Sequence, residues 1–580
     1  MRSRRWRLPA LILLAVAVAA AAWVGWQAWH VSRDLQNAQG AAERWRSSLQ
    51  SGGDRQREAA LTELRDSAAS ADSRTSGPTW SALTHLPLIG DDAAGVRALS
   101  SSLDVIAQDA VTPLSQTVDD LDGVVADGKI DLDAVADLGE PVGRAHTALV
   151  RADDQVAGLD SSGYVDTLRT RFDRYAALVH GLRSGLASAD KAVQVLPAMA
   201  GAEGPRDYLL LFQNNAEIRA TGGMPGSWAL LHADNGRIEM IRQGSASDFP
   251  TAAKPVLQLT REEQAVYGKE LGIYFQDPGW TFDFPRAAQL WHAHWNLRFP
   301  DTPIDGVVAL DPVGMSYLLD GTGPVAVDGV TLTRDNAVEE LLSKPYIDKG
   351  AAAQNQFFAR AAKAILSAAT SSLASPTAFV EGLNRAASEG RLLIASFDLK
   401  IKADLSGTRV EGALAGDDGS IPHVDVGLND LTGSKMSYYL RFNADVEAMD
   451  CHDQTQDLAG TVVLNQVISP NAAARLPTSV TGGGSYGTDP GSQFVMVRLY
   501  GPYGGSIDRV QLNGRNLRDL EVRQISGRPV VNVDVLLSSR NDVVLSWRGV
   551  TGQGQTGTGI LGTTPSIVPG SDRQAFISAC

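Results

Sequence analysis

The stretch "RDYLLLFQNNAEIRATGG", Arg206 to Gly223, sets five apolar residues in a row, Tyr208 to Phe212, directly before two asparagines, a glutamate, an arginine and a glycine pair. Side chains of an extended strand alternate between faces, so an unbroken apolar run predicts a strand covered on both sides. The polar burst behind it marks where that strand leaves the core. Asn214 and Asn215 supply amide hydrogen bonds and accept turn geometry, Glu217 and Arg219 are able to pair or to hold a ligand, and Gly222 and Gly223 allow positive φ or close backbone approach. Two readings stand: a ligand cradle at a strand end, or a satisfied polar network around a tight turn with Glu217 paired to Arg219.

Outward from this stretch, "GSWALLHADNGRIEMI" alternates around an Asp-Asn-Gly turn and predicts a β-hairpin. "DFPRAAQLWHAHWNLRF" predicts a helix with Pro285 in its first turn, and "IDGVVALDPVGMSYLLDGTGPVAV" a strand, a helix and a strand. Interleaved in this way, residues 205–345 read as an α/β layered domain. Residues 346–398 read as a helical segment and 399–580 as a β-rich, β-sandwich-like domain, with "AGTVVLNQVI", "SQFVMVRLYGP" and "DVVLSWRGV" among its strands. The whole is expected to be an α+β multidomain chain.

Before that core, residues 30–200 are rich in Ala, Leu, Asp, Arg and Ser with apolar residues at helical spacing, which predicts a helical stalk or bundle. Breaks are expected at "SGGD" (Ser51 to Asp54), "THLPLIGDD" (Thr84 to Asp92) and "ADGKIDLD" (Ala126 to Asp133). The stalk reads as a spacer, or alternatively as a partner-binding coil. The chain opens on a basic tail, residues 1–7, with four arginines and no acid, followed by an uncharged run from Leu8 to Trp26. As a helix rising about 1.5 Å per residue, that run is roughly as long as the ~30 Å hydrocarbon core of a bilayer. Residues 8–29 are therefore expected to form a single-pass transmembrane anchor. The arginines would stay cytoplasmic, with Trp23, Trp26 and Trp29 at the outer interface and the bulk extracytoplasmic. A cleaved signal peptide is the rival reading, which the length of the apolar run disfavours.

The net charge of -15 excludes a nucleic-acid partner of the usual kind, since phosphate binding needs clustered Lys and Arg. An exported chain with only two cysteines, Cys451 and Cys580, predicts one disulfide. "HAH" at His292 and His294 lies in a helical pattern, where that spacing does not share a face, and "GDDGS" (Gly416 to Ser420) lacks the calcium-loop pattern. No phosphate loop, nucleophile elbow or nucleotide fingerprint is present.

The blocks "RDYLLLFQNNAEIRATGGMPGSWALL", "FDFPRAAQLW", "DGVVALDPVGMSYLLDGTGPVAV" and "LNDLTGSKMSYYL" resemble the signature blocks of a bacterial envelope family, domain of unknown function 4012. "THLPLIGDD" and the terminal Cys fit the same pattern. Its members are often met beside polysaccharide biosynthesis functions. The order of strand, polar motif, hairpin, helix and strand is also similar to the LytR-CpsA-Psr family. Those single-span enzymes move glycopolymers from polyprenyl-pyrophosphate lipids, with arginines on the pyrophosphate and acids on a divalent metal. Where that family carries its Arg-Ser-Asp and Pro-Arg-Asp elements, this chain has "GGMPGS" (Gly222 to Ser227) and "QGSASD" (Gln243 to Asp248). The resemblance therefore leaves Arg219 and Arg286 as substitute arginines and Asp248, Asp283, Asp305 and Asp311 as candidate ligands for Mg2+. For each acid the competing reading is a loop or helix-cap role, as "DP" at Asp311 and Pro312 illustrates.

Together these readings lead to an anchored envelope protein that binds a glycopolymer or its lipid-linked precursor through residues 205–345. A structural or assembly factor contacting envelope proteins is the first alternative. A metal-dependent glycopolymer phosphotransferase is the second.

Overall fold

The computed structural model describes residues 7–580 apart from 52, 88, 118–120, 122, 127, 539–540 and 571–572, and no side chains for 7–21, 49–51, 126, 184 and 351–352. The chain divides into two compact units, one built from residues up to 122 and 133–194, the other from 123–132 and 195–580.

The first unit is helical. Its long first helix, Arg7–Ser51, is followed after the Ser-Gly-Gly break by Asp54–Thr75, and Gly90–Val105, Gly139–Ala157 and most of Asp166–Met199 complete the main elements. Ala38 and Ala41 of the first helix pack on Leu64 and Ala68 of the second and on Ala107. Methyl-sized contacts let the helix axes approach closely along this seam. Ion pairs Arg44–Glu63 (2.7 Å) and Arg74–Asp34 (3.0 Å) flank the seam. The expected anchor, residues 8–29, begins in the first helix, and its residues 8–21 lie outside the described side chains. Among the described residues no helix is long and apolar enough to cross a membrane. Trp23, Trp26 and Trp29 are exposed.

The second unit carries three larger sheets. The first has seven strands: β1 (Val125–Ala126), β2 (Lys129–Ile130), β3 (Arg206–Asn214), β4 (Met224–Asp234), β5 (Arg237–Ser245), β6 (Gly306–Leu310) and, beyond a separate β7–β8 hairpin (Val325–Val327, Val330–Leu332), β9 (Leu392–Ser396). Its order is β1-β2-β5-β4-β3-β6-β9, with β3 and β6 parallel and the other pairs antiparallel. The apolar run of β3 is covered on both faces. Leu209 and Leu211 meet Trp291 and Trp295 of the helix Phe284–Arg298, whereas Phe212 packs with Met315 and Phe357 on the other side. The β4–β5 hairpin turns at Asn235 and Gly236, both at positive φ, as a two-residue Asn-Gly turn requires.

Three strands depart from the sequence reading. β9 lies within residues 346–398, read as helical, because "LLIAS" is a short apolar run whose periodicity does not tell helix from strand. β1 and β2 come from the "ADGKIDLD" break inside the expected stalk, where two-residue strands are too short to show alternation; the Ile130 amide donates to the Gly236 carbonyl (2.8 Å).

The remaining strands form two sheets packed face to face. One contains β10 (His423–Asp430), β13 (Gln493–Tyr500), β16 (Arg523–Ile525), β17 (Arg528–Leu537), β19 (Gly559–Thr563) and β20 (Arg573–Phe576). The other contains β11 (Leu440–His452), β12 (Thr455–Gln466), β14 (Ser506–Leu512), β15 (Arg515–Asn516) and β18 (Val543–Val550). Their orders are β16-β17-β13-β10-β19-β20 and β11-β12-β18-β14-β15. Val424, Val497 and Val533 of the first meet Leu458, Val462 and Leu545 of the second in one core. Within the region read as β-rich, Leu399–Leu405 is a helix capped by Asp398. Cys451 and Cys580 form a disulfide.

Candidate functional site

β3 and β6 run parallel, so their carboxyl ends open on the same side, which is where layered α/β sheets commonly receive ligands. "QNNAEIRATGG" begins on the last residues of β3, and Asp311-Pro312 follows β6. Gly222 has φ 127°, and a Cβ on Gly223 would lie 2.3 Å from the Asn214 carbonyl carbon, so the turn depends on both glycines.

The side chains of this turn diverge. Asn214 Nδ2 donates to Glu217 Oε1 (3.1 Å) and to the Tyr346 hydroxyl (3.0 Å). Glu217 pairs with Lys435 (2.9 Å), and the Lys435 ammonium lies 4.8 Å from the Tyr346 ring centre. The expected Glu217–Arg219 pair is thus replaced by a Glu217–Lys435 pair. Arg219 turns the other way: it donates to the Ile218 and Asp430 carbonyls (3.0 and 3.1 Å) and sits over Trp280. Burial pushes the Asp430 carboxyl up while Arg219 draws it back, and burial likewise raises Asp277 to about 6 against the pull of Arg219. Arg219 is therefore an internal cation, only 6% exposed, that tends buried acids and carbonyls.

Asn215 takes a third direction. Its Nδ2 donates to Asp311 Oδ2 (2.8 Å), whose other oxygen accepts from the Gly314 amide (2.6 Å) and caps the helix Pro312–Thr322. Asp311 is also paired with Arg391 (2.9 Å), which pairs with Glu389 (2.6 Å) and donates to the Ser566 and Val568 carbonyls. Burial opposes the Arg391 charge, yet Asp311 and Glu389 hold its pKa above the ordinary value. Burial also opposes Glu389 ionisation, and hydrogen bonds from Tyr317, Arg391 and Arg385 outweigh it.

The four acids considered for a metal are not brought together. Asp248 accepts from the Ser245 amide (2.7 Å) and the Trp228 indole (3.2 Å), and Asp283 precedes the helix Phe284–Arg298 with burial raising it to about 6. Asp305 binds Arg206 (3.3 Å) and the Asp207 amide (2.8 Å). Asp305 and Asp311 flank the five residues of β6, hence roughly 16–20 Å apart along an extended strand. Arg286 forms a bidentate pair with Glu263 (2.6 and 3.1 Å). Among the described residues no three of His, Cys, Asp and Glu are placed to hold a metal ion. These residues do not fit Mg2+. Arginines meet two carboxylates at Arg206, which pairs with Asp305 and Asp398 (3.1 Å), and at Arg391 with Asp311 and Glu389, which is buried and already charge-matched. His294 is buried within its helix, which lowers its pKa to about 4, and His292 stacks on Phe397.

What the strand ends do form is a cleft of about 200 Å³. Phe212, Met224, Met315, Leu341 and Phe358 supply apolar walls, and Asn214, Glu217, Tyr346 and Lys435 line its polar end. Among the described residues no acceptor takes the Tyr346 hydroxyl hydrogen, and the Lys435 ammonium has one ion-pair partner, Glu217, beside the Tyr346 ring. Burial keeps that phenol protonated. The cleft thus offers a neutral and a cationic donor beside apolar surface. Its volume is below the roughly 300–1,000 Å³ of drug-sized sites, so it suits one segment of a larger ligand. Tyr346 and Lys435 were not singled out from the sequence, although Lys435 lies in the quoted block "LNDLTGSKMSYYL"; only the fold brings that block to residue 217.

No curated protein and no solved structure matches this chain. Residues 203–346, which span β3 through Tyr346 and supply most of the cleft, match the model of the family described as "Protein of unknown function (DUF4012)".

Proposed function

We propose that the protein is a membrane-anchored, extracytoplasmic binding protein of the cell envelope that holds a lipid-linked glycopolymer precursor. The observation that carries this reading is the cleft at the carboxyl ends of β3 and β6, where Tyr346 and Lys435 present donors next to apolar walls. A polyprenyl-linked sugar phosphate pairs an anionic head with a hydrocarbon chain, and such a cleft matches one of each. The uncharged run Leu8 to Trp26 behind four arginines supports the anchor, and the Cys451–Cys580 disulfide supports an oxidising compartment.

Gly226 lines the cleft, and a Cβ there would meet open space. Gly226→Leu is therefore expected to fill the cleft with little loss of stability and to weaken binding of a polyprenyl-pyrophosphate oligosaccharide at least about tenfold, about 1.4 kcal/mol. Unchanged affinity by calorimetry on the detergent-solubilised full chain would sink the proposal. The topology predicts that protease added to intact spheroplasts cuts after residue 31; protection of that region contradicts it.

An assembly role is favoured by a different observation. Asn214, Asn215, Ile218, Arg219 and Ala220 all bond to groups of this same chain, which marks the motif as a junction between the seven-stranded sheet and the C-terminal strands. Full stability of Gly226→Leu with no ligand binding in either protein would favour that role.

A further inference from the structure

The outer face of the five-stranded sheet carries two side-chain rows in cross-strand register. One runs Glu447, Ala459, Arg548, Arg509, and the other Asp445, Thr461, Ser546, Gln511. Arg548 and Arg509 are directly opposite each other on β18 and β14. Like charges in that position are destabilising. Among the described residues neither guanidinium has a hydrogen-bond or ion-pair partner, and neither does the Glu447 carboxylate. The two rows line a concavity of about 440 Å³. Ala459 explains its shape: a methyl group stands between Glu447 and Arg548, two strand spacings or roughly 9–10 Å apart across the sheet.

We propose that this face binds an acidic saccharide. Its carboxylate or phosphate would bridge Arg509 and Arg548, relieving their repulsion through charge-assisted hydrogen bonds. Its hydroxyls would donate to Asp445 and Glu447 and exchange hydrogen bonds with Thr461 between the two walls. The carboxylate wall decides the ligand class. A polymer with several anionic groups on each residue would be repelled by Asp445 and Glu447, whereas a sugar with one carboxylate surrounded by hydroxyl donors satisfies both sides. The site lies in the C-terminal strands and shares no residue with the cleft at β3 and β6.

The test is calorimetric titration of the full chain with trigalacturonate, maltotriose and inorganic phosphate. Trigalacturonate is expected to bind, and at least about tenfold more weakly to the double variant R509Q/R548Q, which also melts no lower than the parent because a repulsive pair has been removed. Glu447→Gln is expected to weaken trigalacturonate and leave phosphate unchanged. The proposal is overturned by no trigalacturonate binding, by equal affinity for maltotriose or for phosphate, or by equal affinity of the double variant. Binding that survives R509Q/R548Q and disappears in Gly226→Leu belongs to the cleft and equally overturns it.

Discussion

Arg391→Met is expected to lower the unfolding free energy of the second unit by about 3–5 kcal/mol, the range found when one member of a buried ion network is removed. Arg391 is 1% exposed and joins four groups at once: Asp311, Glu389 and the carbonyls of Ser566 and Val568. Methionine fills much of the same volume, so the loss is electrostatic rather than a cavity. Asp311 would keep Asn215 and the Gly314 amide, but Glu389 would retain only Tyr317, Arg385 and the Gly570 amide against its burial. Both acids would then lower their cost by taking up protons. The stability of the variant should therefore rise relative to the parent as pH falls toward 5, because carboxylates with raised folded pKa favour the folded state below that value. Urea unfolding at pH 7.5 and 5 checks both statements. A loss under about 1 kcal/mol at pH 7.5 would show that the network adds nothing to the fold.

Replacing both cysteines, Cys451→Ser with Cys580→Ser, is expected to cost about 4–5 kcal/mol in the chain-entropy model, since the bond closes a loop of 129 residues. β11 is the edge strand of one sheet and β20 that of the other, so the bond ties the chain end after β20 to the β11 edge and clasps the two sheets together. The amide of Ala579 also donates to Gln456 (2.8 Å), which keeps the terminus close to its native position in the variant. The effect should therefore appear as a lower denaturation midpoint with an unchanged near-ultraviolet spectrum. The same midpoint shift is expected when the parent is reduced. A shift below about 1 kcal/mol in both would mean that the unfolded chain gains little freedom when the clasp opens.

Several features were legible because they depend on neighbours along the chain. The apolar run of β3, the Asn-Gly turn between β4 and β5, Pro285 at the start of its helix and Asp311 as a cap all follow from local periodicity and backbone preference. β9 and the β1–β2 hairpin were not legible, because strands this short take their structure from the sheet they join. The disulfide was readable from a lone cysteine pair in a chain expected to be exported, whereas its place between two sheet edges was not.

From the sequence by itself came the α+β order of elements, the single disulfide and the polar turn behind a buried strand, since each is set by residue type and spacing. The tertiary structure alone decided where the polar side chains of that turn go. Glu217 and Arg219 are two residues apart, yet one meets Lys435 and the other the Asp430 carbonyl, more than two hundred positions away. Partners at that distance are chosen by how sheets and helices pack, and a buried charge settles on whichever opposite charge or dipole the packing leaves within reach.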